Sequence, residues 1–440
     1  MTNALKVAIA GLGTVGAGVV GELNENHGLI SDRCPRGIEI AAVSARDKFK
    51  DRGVDIGAYR WFDDARDMAR SEGIDVFVEL IGGSEGIAKE ACREALASGK
   101  SVVTANKALI AHHGTELATL AEKNNVSLCF EAAVAGGIPI VKAIRESLGG
   151  NGMNRVYGIL NGTCNYILTA MRETGRAFED VLAEAQNLGY AEADPTFDIE
   201  GVDTAHKLAI LASVAFGTAV DFNNVKTEGI ANVSKDDIVF AEKLGYRIKL
   251  LGIARMTETN LEQCVHPAMV PLEDPIAHVE DVFNAVVVDG DYVDTLMFEG
   301  RGAGEKPTAS AVVGDLTDLA RGLDAPSFSV PVAKLKAPRP AREEDFISAF
   351  YVRLKVEDRP GVFADIATAL KNHDVSMESV LQHGPAPNNA VTVAMTLHDA
   401  REGSVAAALR EIATLGSVLE EPHLIRIERF AASARIPRIE

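Results

Sequence analysis

The sequence predicts an α/β protein in three parts: a doubly wound parallel sheet, a central α+β domain, and a C-terminal β-α-β-β-α-β module. Three observations carry this. The apolar run Lys6-Val7-Ala8-Ile9-Ala10 ends directly in Gly11-Leu12-Gly13-Thr14-Val15-Gly16, strand and helix patterns then alternate as far as Phe130, and a proline-rich stretch precedes a last group of short apolar segments. The 440 residues suit about three domains at roughly 150 residues each.

After the glycine turn, a helix is predicted through Val19, Val20 and Leu23, followed by strands over 38–43 and 75–80, a helix over 85–98 and a strand over 101–104. A helix over 115–123 and a strand over 126–130 complete the unit. Such alternation implies parallel strands joined by right-handed crossovers. Glycines at a strand-to-helix turn let the backbone approach a pyrophosphate, whose charge sits against free N–H groups at the helix start. Gly11, Gly13, Thr14, Val15 and Gly16 are therefore the candidate dinucleotide cradle of a Rossmann-type domain. At the end of the second strand stands Arg46, which with Lys48 or Lys50 could pair with a 2′-phosphate and so favours NADP over NAD. Asp47 offers the opposite reading if it turns inward, and a solvated loop of mixed charge is the third.

Two neighbouring patterns invite other chemistry. Gly82-Gly83-Ser84-Glu85-Gly86 matches a hydrolase elbow, but no Asp and His stand where a charge-relay set needs them, so a glycine-rich turn facing the cofactor is the better reading. His112-His113 with Glu116 could be drawn as a metal site, yet adjacent imidazoles on a helix point about 100° apart. A solvated helix face accounts for them.

Beyond Phe130, Glu131 to Ile140 is rich in glycine and ends in Pro139 at a helix start, and its spare carbonyls could take a cation. A strand over 156–160 leads into Asn161-Gly162-Thr163-Cys164-Asn165-Tyr166, whose Asn and Thr suit helix capping. Acids then crowd Glu192, Asp194, Asp198, Glu200 and Asp203 before an apolar helix, on which Asp203 and Lys207 share a face four residues apart. On an arbitrary helix this would be a surface ion pair; among such apolar neighbours it marks a pocket for a zwitterion.

GLGTVG, Thr104-Ala105-Asn106-Lys107, EAAVAGGIPI, NGTCNYIL, GYAEADPTFDIEGVDTAHKLAIL and Arg301-Gly302-Ala303-Gly304 with PTASAVVGDL together closely resemble the homoserine dehydrogenase family, in order from residue 5 to about 320. The resemblance implies reversible NAD(P)H-dependent reduction of L-aspartate 4-semialdehyde to L-homoserine. It implies Lys207 as proton donor or acceptor, Lys107 close to substrate and nicotinamide, Asp203 and Asp198 positioning the amine and Lys207, and Glu192 holding the amine. Thr104, Lys107, Gly162 and Gly302 join the implied cofactor set. A monovalent cation such as sodium is implied on the backbone of Glu131, Val134, Gly136 and Ile138.

Prolines at 326, 331, 338 and 340 mark a linker over 326–346. Strands over 349–356, 375–381, 390–397 and 424–429, with helices over 362–371 and 401–413, complete the ferredoxin-like module. Asp358-Arg359-Pro360-Gly361-Val362 resembles the ACT family, which implies Asp358, Gly361 and Val362 as an effector site, with L-threonine, the end product, as inhibitor. A module serving only oligomerisation is the alternative. The expected division is 1–135 for the nucleotide domain, completed by a helix over 305–325, then 136–304 for substrate binding and dimerisation, and 347–440 for the ACT domain. Removing 341–440 is expected to abolish threonine inhibition and leave activity.

Composition narrows the partners. A net charge of −19 disfavours nucleic acid, and the longest apolar stretch, about 13 residues, is short of the roughly 20 a membrane helix needs. Five scattered cysteines without a CxxC pair fit a reducing, cytoplasmic setting, and a homodimer or homotetramer is expected. The rival readings are a non-catalytic sensor of dinucleotide and amino acid, and another ACT-bearing dehydrogenase acting on a 2-hydroxy acid. The second would need a His–carboxylate pair and a substrate-binding Arg, and none stands out.

Overall fold

The computed structural model describes residues 4–257, 260–337, 339–383 and 390–430, so Pro338 of the expected linker and the tail beyond 430 lie outside the described residues. The N-terminal sheet comprises β1 (Leu5–Ala10), β2 (Ile38–Ser44), β3 (Arg60–Phe62), β4 (Val76–Glu79), β5 (Ser101–Thr104) and β6 (Leu128–Cys129), in the order β3-β2-β1-β4-β5-β6 with every pair parallel. This is the doubly wound order, whose direction reverses between β1 and β4 and opens a crevice beyond their C-terminal ends. The helix Glu305–Arg321 returns to this domain, packing Ala309, Val312, Val313 and Leu316 against Val19, Val20 and Leu23.

Several elements depart from expectation. Edge strand β3 and the helix Ala65–Arg70 have no counterpart in the sequence reading, because three residues are too few to show a period. The helix expected over 115–123 starts at Lys107 instead, capped by the Asn106 side chain, which accepts from the Leu109 amide at 3.0 Å. Gly114 lies inside it, where the Phe328 ring leaves no space for a Cβ. Phe328 is itself only 1% exposed and packs on Phe130 with ring centroids 5.2 Å apart, so the expected linker is a strap bound to the core.

The central strands are β7 (Met153–Ile159), β8 (Lys226–Thr227), β9 (Tyr246–Met256), β10 (Leu261–Pro271), β11 (Phe283–Gly290) and β12 (Asp294–Arg301); the C-terminal ones are β13 (Ile347–Glu357), β14 (Met377–His383), β15 (Ala390–Arg401) and β16 (His423–Ile427). Among the described residues they form one sheet ordered β12-β11-β7-β9-β10-β16-β13-β15-β14, with β8 paired to β10. The β-α-β-β-α-β module therefore shares hydrogen bonds with the central domain: β16 runs parallel to β10, aligning Ala268 with Arg426 and Met269 with Ile427. Side chains close the seam. Asp237, fully buried, accepts from Tyr351 Oη at 3.0 Å and Arg353 Nε at 2.7 Å, Glu428 pairs with Arg255, and Phe430 stacks on Tyr157 at 3.8 Å. Arg426 reaches Glu228 at 2.8 Å, and two residues on, the Ile230 amide donates to the Ile199 carbonyl at 2.9 Å.

Candidate active site

A cleft of about 590 Å³ opens over the glycine turn, lined by Gly11, Gly13, Ser44, Arg46, Lys50 and Arg52 among others. The three fingerprint glycines do different work. A Cβ on Gly11 would collide with the Leu80 carbonyl and one on Gly16 with the Gly11 carbonyl, whereas Gly13 faces open space. Gly13 is thus the position where a pyrophosphate can come close to the backbone, and its neighbours close the turn and pack the helix. Thr14 is exposed at the first helical position, and Val15 packs part of its surface on the core. Leu80, Ile81, Gly82 and Glu85 line the same cleft, which fits a cofactor-facing turn over 82–86.

Arg46 lines this cleft, but Lys48 does not: its ammonium lies 5.9 Å from the Trp61 ring centre, and Lys50 and Arg52 take the place expected of it. Arg52 donates to the carbonyls of Leu12 at 3.1 Å, Lys50 at 2.6 Å and Asp47, tying the second-strand loop to the glycine turn. Asp47 is spent locally, its Oδ1 accepting from the Phe49 amide at 2.8 Å. This end of the cleft is basic.

Two residues of the expected cofactor set have close neighbours within the protein. The Thr104 side chain is buried and donates to Glu79 Oε2 at 2.6 Å, and a Cβ on Gly302 would overlap the Asn284 amide. Glu79, fully buried, also accepts from the amides of Ile81 and Gly82 at 2.8 and 2.9 Å, so it shapes the turn beside Lys107. Gly162 opens the helix Gly162–Thr174 close to Asn284, whose amide is 1% exposed and has no hydrogen-bond partner among the described residues.

At the far end of the cleft's sheet, three elements converge. The helix Val202–Phe216 supplies Asp203 and Lys207, the first residue of Lys107–Lys123 supplies Lys107, and the end of β7 supplies the Leu160 carbonyl and Asn161. Asp203 is 3% exposed and its two oxygens divide the cations: Oδ1 lies 2.7 Å from Lys107 Nζ, Oδ2 2.7 Å from Lys207 Nζ. Lys207, 7% exposed, also donates to the Leu160 carbonyl at 2.6 Å, so two of its three ammonium hydrogens are assigned. Asn161 Nδ2 donates to both Asp198 Oδ1 at 2.8 Å and Asp203 Oδ2 at 2.9 Å. Glu192 is exposed on the same loop and adds its field to that of the other acids at Lys107.

The electrostatics separate the two lysines. Burial lowers the pKa of Lys207, and the nearby Lys107 ammonium assists against the pull of Asp203. For Lys107 burial works in the same direction but is outweighed by Asp203, Asp198 and Glu192, and its pKa is raised. The two ammoniums therefore do not lower one another equally: Lys207 is the one moved toward neutrality. Burial raises Asp198, with Asp203 adding to the effect, while Asp203, despite burial, is held well below the usual carboxylate range by both lysines. Behind them His206 stacks on Phe222 at 4.2 Å and meets His112 Nε2 at 3.3 Å. Burial first and His112 second bring the His206 pKa down to about 4, which leaves the ring neutral near pH 7. His113 bonds Glu85 at 2.6 Å, and among the described residues no cluster of three His, Cys, Asp or Glu could hold a metal ion.

In the turn after β6, Ala135 and Gly136 both have positive φ, 55° and 48°. Among the described residues the Val134 and Gly136 carbonyls accept no backbone hydrogen bond, whereas those of Glu131 and Ile138 receive the amides of Val134 and Ile140. The buried Glu131 carboxylate caps the next turn, accepting from the amides of Val141 at 2.9 Å and Lys142 at 2.7 Å. Burial, with Asp315 second, raises its pKa to about 7. In the C-terminal module Gly361 is exposed with φ 96° before the helix Val362–Asn372, and Asp358 is exposed beside it. The Val362 side chain, only 2% exposed, belongs to the module's core, so only its backbone can serve an effector.

A buried lysine–carboxylate pair in the same chain as a dinucleotide cleft suits an alcohol–carbonyl oxidoreductase, and the comparisons agree. The homoserine dehydrogenase pattern matches residues 139–317, the NAD-binding domain of homoserine dehydrogenase matches 11–131, and the ACT domain matches 350–417. A homoserine dehydrogenase of Pseudomonas aeruginosa is 46% identical over 97% of this chain and 99% of its own. The crystal structure of one from Thiobacillus denitrificans is 43% identical, with a TM-score of 0.92, over 98% of this chain and 99% of its own. A hyperthermophilic archaeal homoserine dehydrogenase solved in complex with NADPH is 26% identical, with a TM-score of 0.63, over 73% of this chain and 99% of its own. By its sheet order, its lysine–carboxylate site and this likeness along nearly its whole length, the chain belongs to the homoserine dehydrogenase family.

Proposed function

We propose that Lys207 is the proton donor and acceptor in the reversible reduction of L-aspartate 4-semialdehyde to L-homoserine. The observation that carries this is a buried ammonium, held by Asp203 and the Leu160 carbonyl, with one hydrogen unassigned and a pKa lowered by burial. NADPH, when bound, supplies the hydride. Negative charge then grows on the carbonyl oxygen, and Lys207 can answer it with a proton. Lys107, on the other oxygen of Asp203, provides a second positive charge and keeps its proton. Glu192 and Asp198 receive the substrate ammonium, and Asp203 orients both lysines.

In the oxidation direction Lys207 must first be neutral. Its lowered pKa means that homoserine oxidation rises with pH as that proton leaves, whereas aldehyde reduction, which needs the ammonium, declines over the same range. Initial rates in both directions across neutral to alkaline pH check this; parallel profiles would count against lysine as the base.

Arg46, with Lys50 and Arg52 beside it and Asp47 turned to its own loop, supports NADP as the preferred cofactor. Arg46→Ala is expected to raise KM for NADPH by about tenfold or more while leaving that for NADH nearly unchanged. Equal changes with both cofactors would remove the 2′-phosphate contact. The Val134 and Gly136 carbonyls, with Glu131 and Ile138 completing the turn, would hold a monovalent cation such as sodium. The exposed glycine turn before the helix Val362–Asn372 supports an amino-acid effector, proposed to be L-threonine, and the proposed assembly is a homodimer or homotetramer. The five cysteines are free and buried, in keeping with a cytoplasmic setting, and among the described residues no helix is long and apolar enough to cross a membrane.

A further inference from the structure

The Asn161 side chain serves three places at once. Its Oδ1 accepts from the Cys164 amide at 2.8 Å and caps Gly162–Thr174, while its single NH₂ group reaches the carboxylates of Asp198 and Asp203. Its burial is nearly complete, at 5% exposed, and the two acids it joins sit on different elements, Thr196–Ile199 and Val202–Phe216. A helix cap needs only the oxygen. Two carboxylates this close to one amide repel each other, and the amide is the neutral donor between them. Asp203 Oδ2 is thereby shared between Asn161 and Lys207.

We infer that Asn161 is a positioning residue for the acid–base step: by taking part of the charge of Asp203 Oδ2 it limits that oxygen's hold on Lys207, and by tethering Asp198 it sets the substrate-amine site to the same frame. This rests on Lys207 as the acid–base group and adds which residue tunes it. Other groups face this point from every side: Asp203, Lys107 and Asp198 act on Lys207, Glu192 acts on Lys107, and His206, Cys164 and Glu200 stand close by. His206 is neutral and the buried Cys164 thiol stays protonated, so neither titrates between neutral and alkaline pH. None of the others donates to both carboxylates as Asn161 does.

Asn161→Ser keeps an oxygen that can cap the helix but is too short to bridge the acids. Asn161→Asp keeps the shape and the cap, removes the donor and adds a negative charge. In both, Lys207 should hold its proton more tightly, so the alkaline rise of homoserine oxidation is expected to move up by about half a pH unit or more, further in Asn161→Asp. kcat/KM for homoserine should fall about tenfold or more, with NADP binding unchanged. A pH limb unmoved in Asn161→Ser would overturn the inference, whatever the loss of rate, because a purely structural cap has no reason to shift a titration, whereas the charge added in Asn161→Asp shifts it in any case. If Asn161→Ser does not fold, Asn161→Thr, which also keeps a capping oxygen and adds no charge, reads the limb in its place. Failure of the underlying assignment looks different: Lys207→Ala would then keep turnover and the parent's limb, irrespective of Asn161.

Discussion

Lys207→Ala is expected to cut kcat for homoserine oxidation by about 10²- to 10⁴-fold, the usual worth of a positioned proton-transfer group. Binding of NADP, measured by fluorescence or calorimetry, should change little, since the lysine lies in the helix Val202–Phe216 and not among the residues lining the dinucleotide cleft. The loss goes beyond one missing proton. Asp203 would keep Lys107 on Oδ1 but present Oδ2 to a space once filled by an ammonium, so the variant should also bind homoserine less well. Turnover within a few-fold of the parent would dismiss Lys207 as the acid–base residue.

Removal of residues 341–440 is expected to cost the fold itself, contrary to what a separable regulatory domain suggests. The cut takes away β16 from its place beside β10, the Tyr351 and Arg353 partners of fully buried Asp237, the Glu428 partner of Arg255 and the Phe430 ring stacked on Tyr157. Stripping the partners from one buried carboxylate costs about 3–5 kcal/mol, against roughly 5–15 kcal/mol for the stability of a whole domain. The truncated chain should melt at much lower temperature by circular dichroism and aggregate on gel filtration. A soluble, fully active fragment would show that the seam contributes little. Asp358→Ala, which leaves the seam intact, is the better probe of the proposed effector turn and is expected to weaken the proposed inhibition by threonine.

Legibility in the sequence followed the range of the interactions. The nucleotide sheet could be read because each glycine turn and apolar run is local, and Asp203 with Lys207 because a four-residue spacing on a helix fixes their common face. Lys107 was legible as a motif residue but not as the start of a helix, and the packing of Gly114 on Phe328, more than 200 residues later, leaves no local pattern. Thr104 entered the expected cofactor set through the family resemblance, and the bond from its hydroxyl to Glu79, 25 residues away, has no local sign. Asn161 showed only its capping side; the bridge to Asp198 and Asp203 is a tertiary fact. Val362 beside a glycine turn gave no sign that it points into the module's core. The continuity of β10 with β16 had no local signature at all, because a two-pair parallel contact across more than 150 residues leaves no periodicity.

That seam has a thermodynamic corollary. Arg426 on β16 holds Glu228, and Ile230, two residues further on, holds Ile199 next to Asp198. If a molecule that binds the C-terminal module and loosens Arg426 alters the affinity for homoserine by some factor, saturating homoserine alters the affinity for that molecule by the same factor. Reciprocity of this kind can be measured from either end, by titrating the effector with and without the amino alcohol.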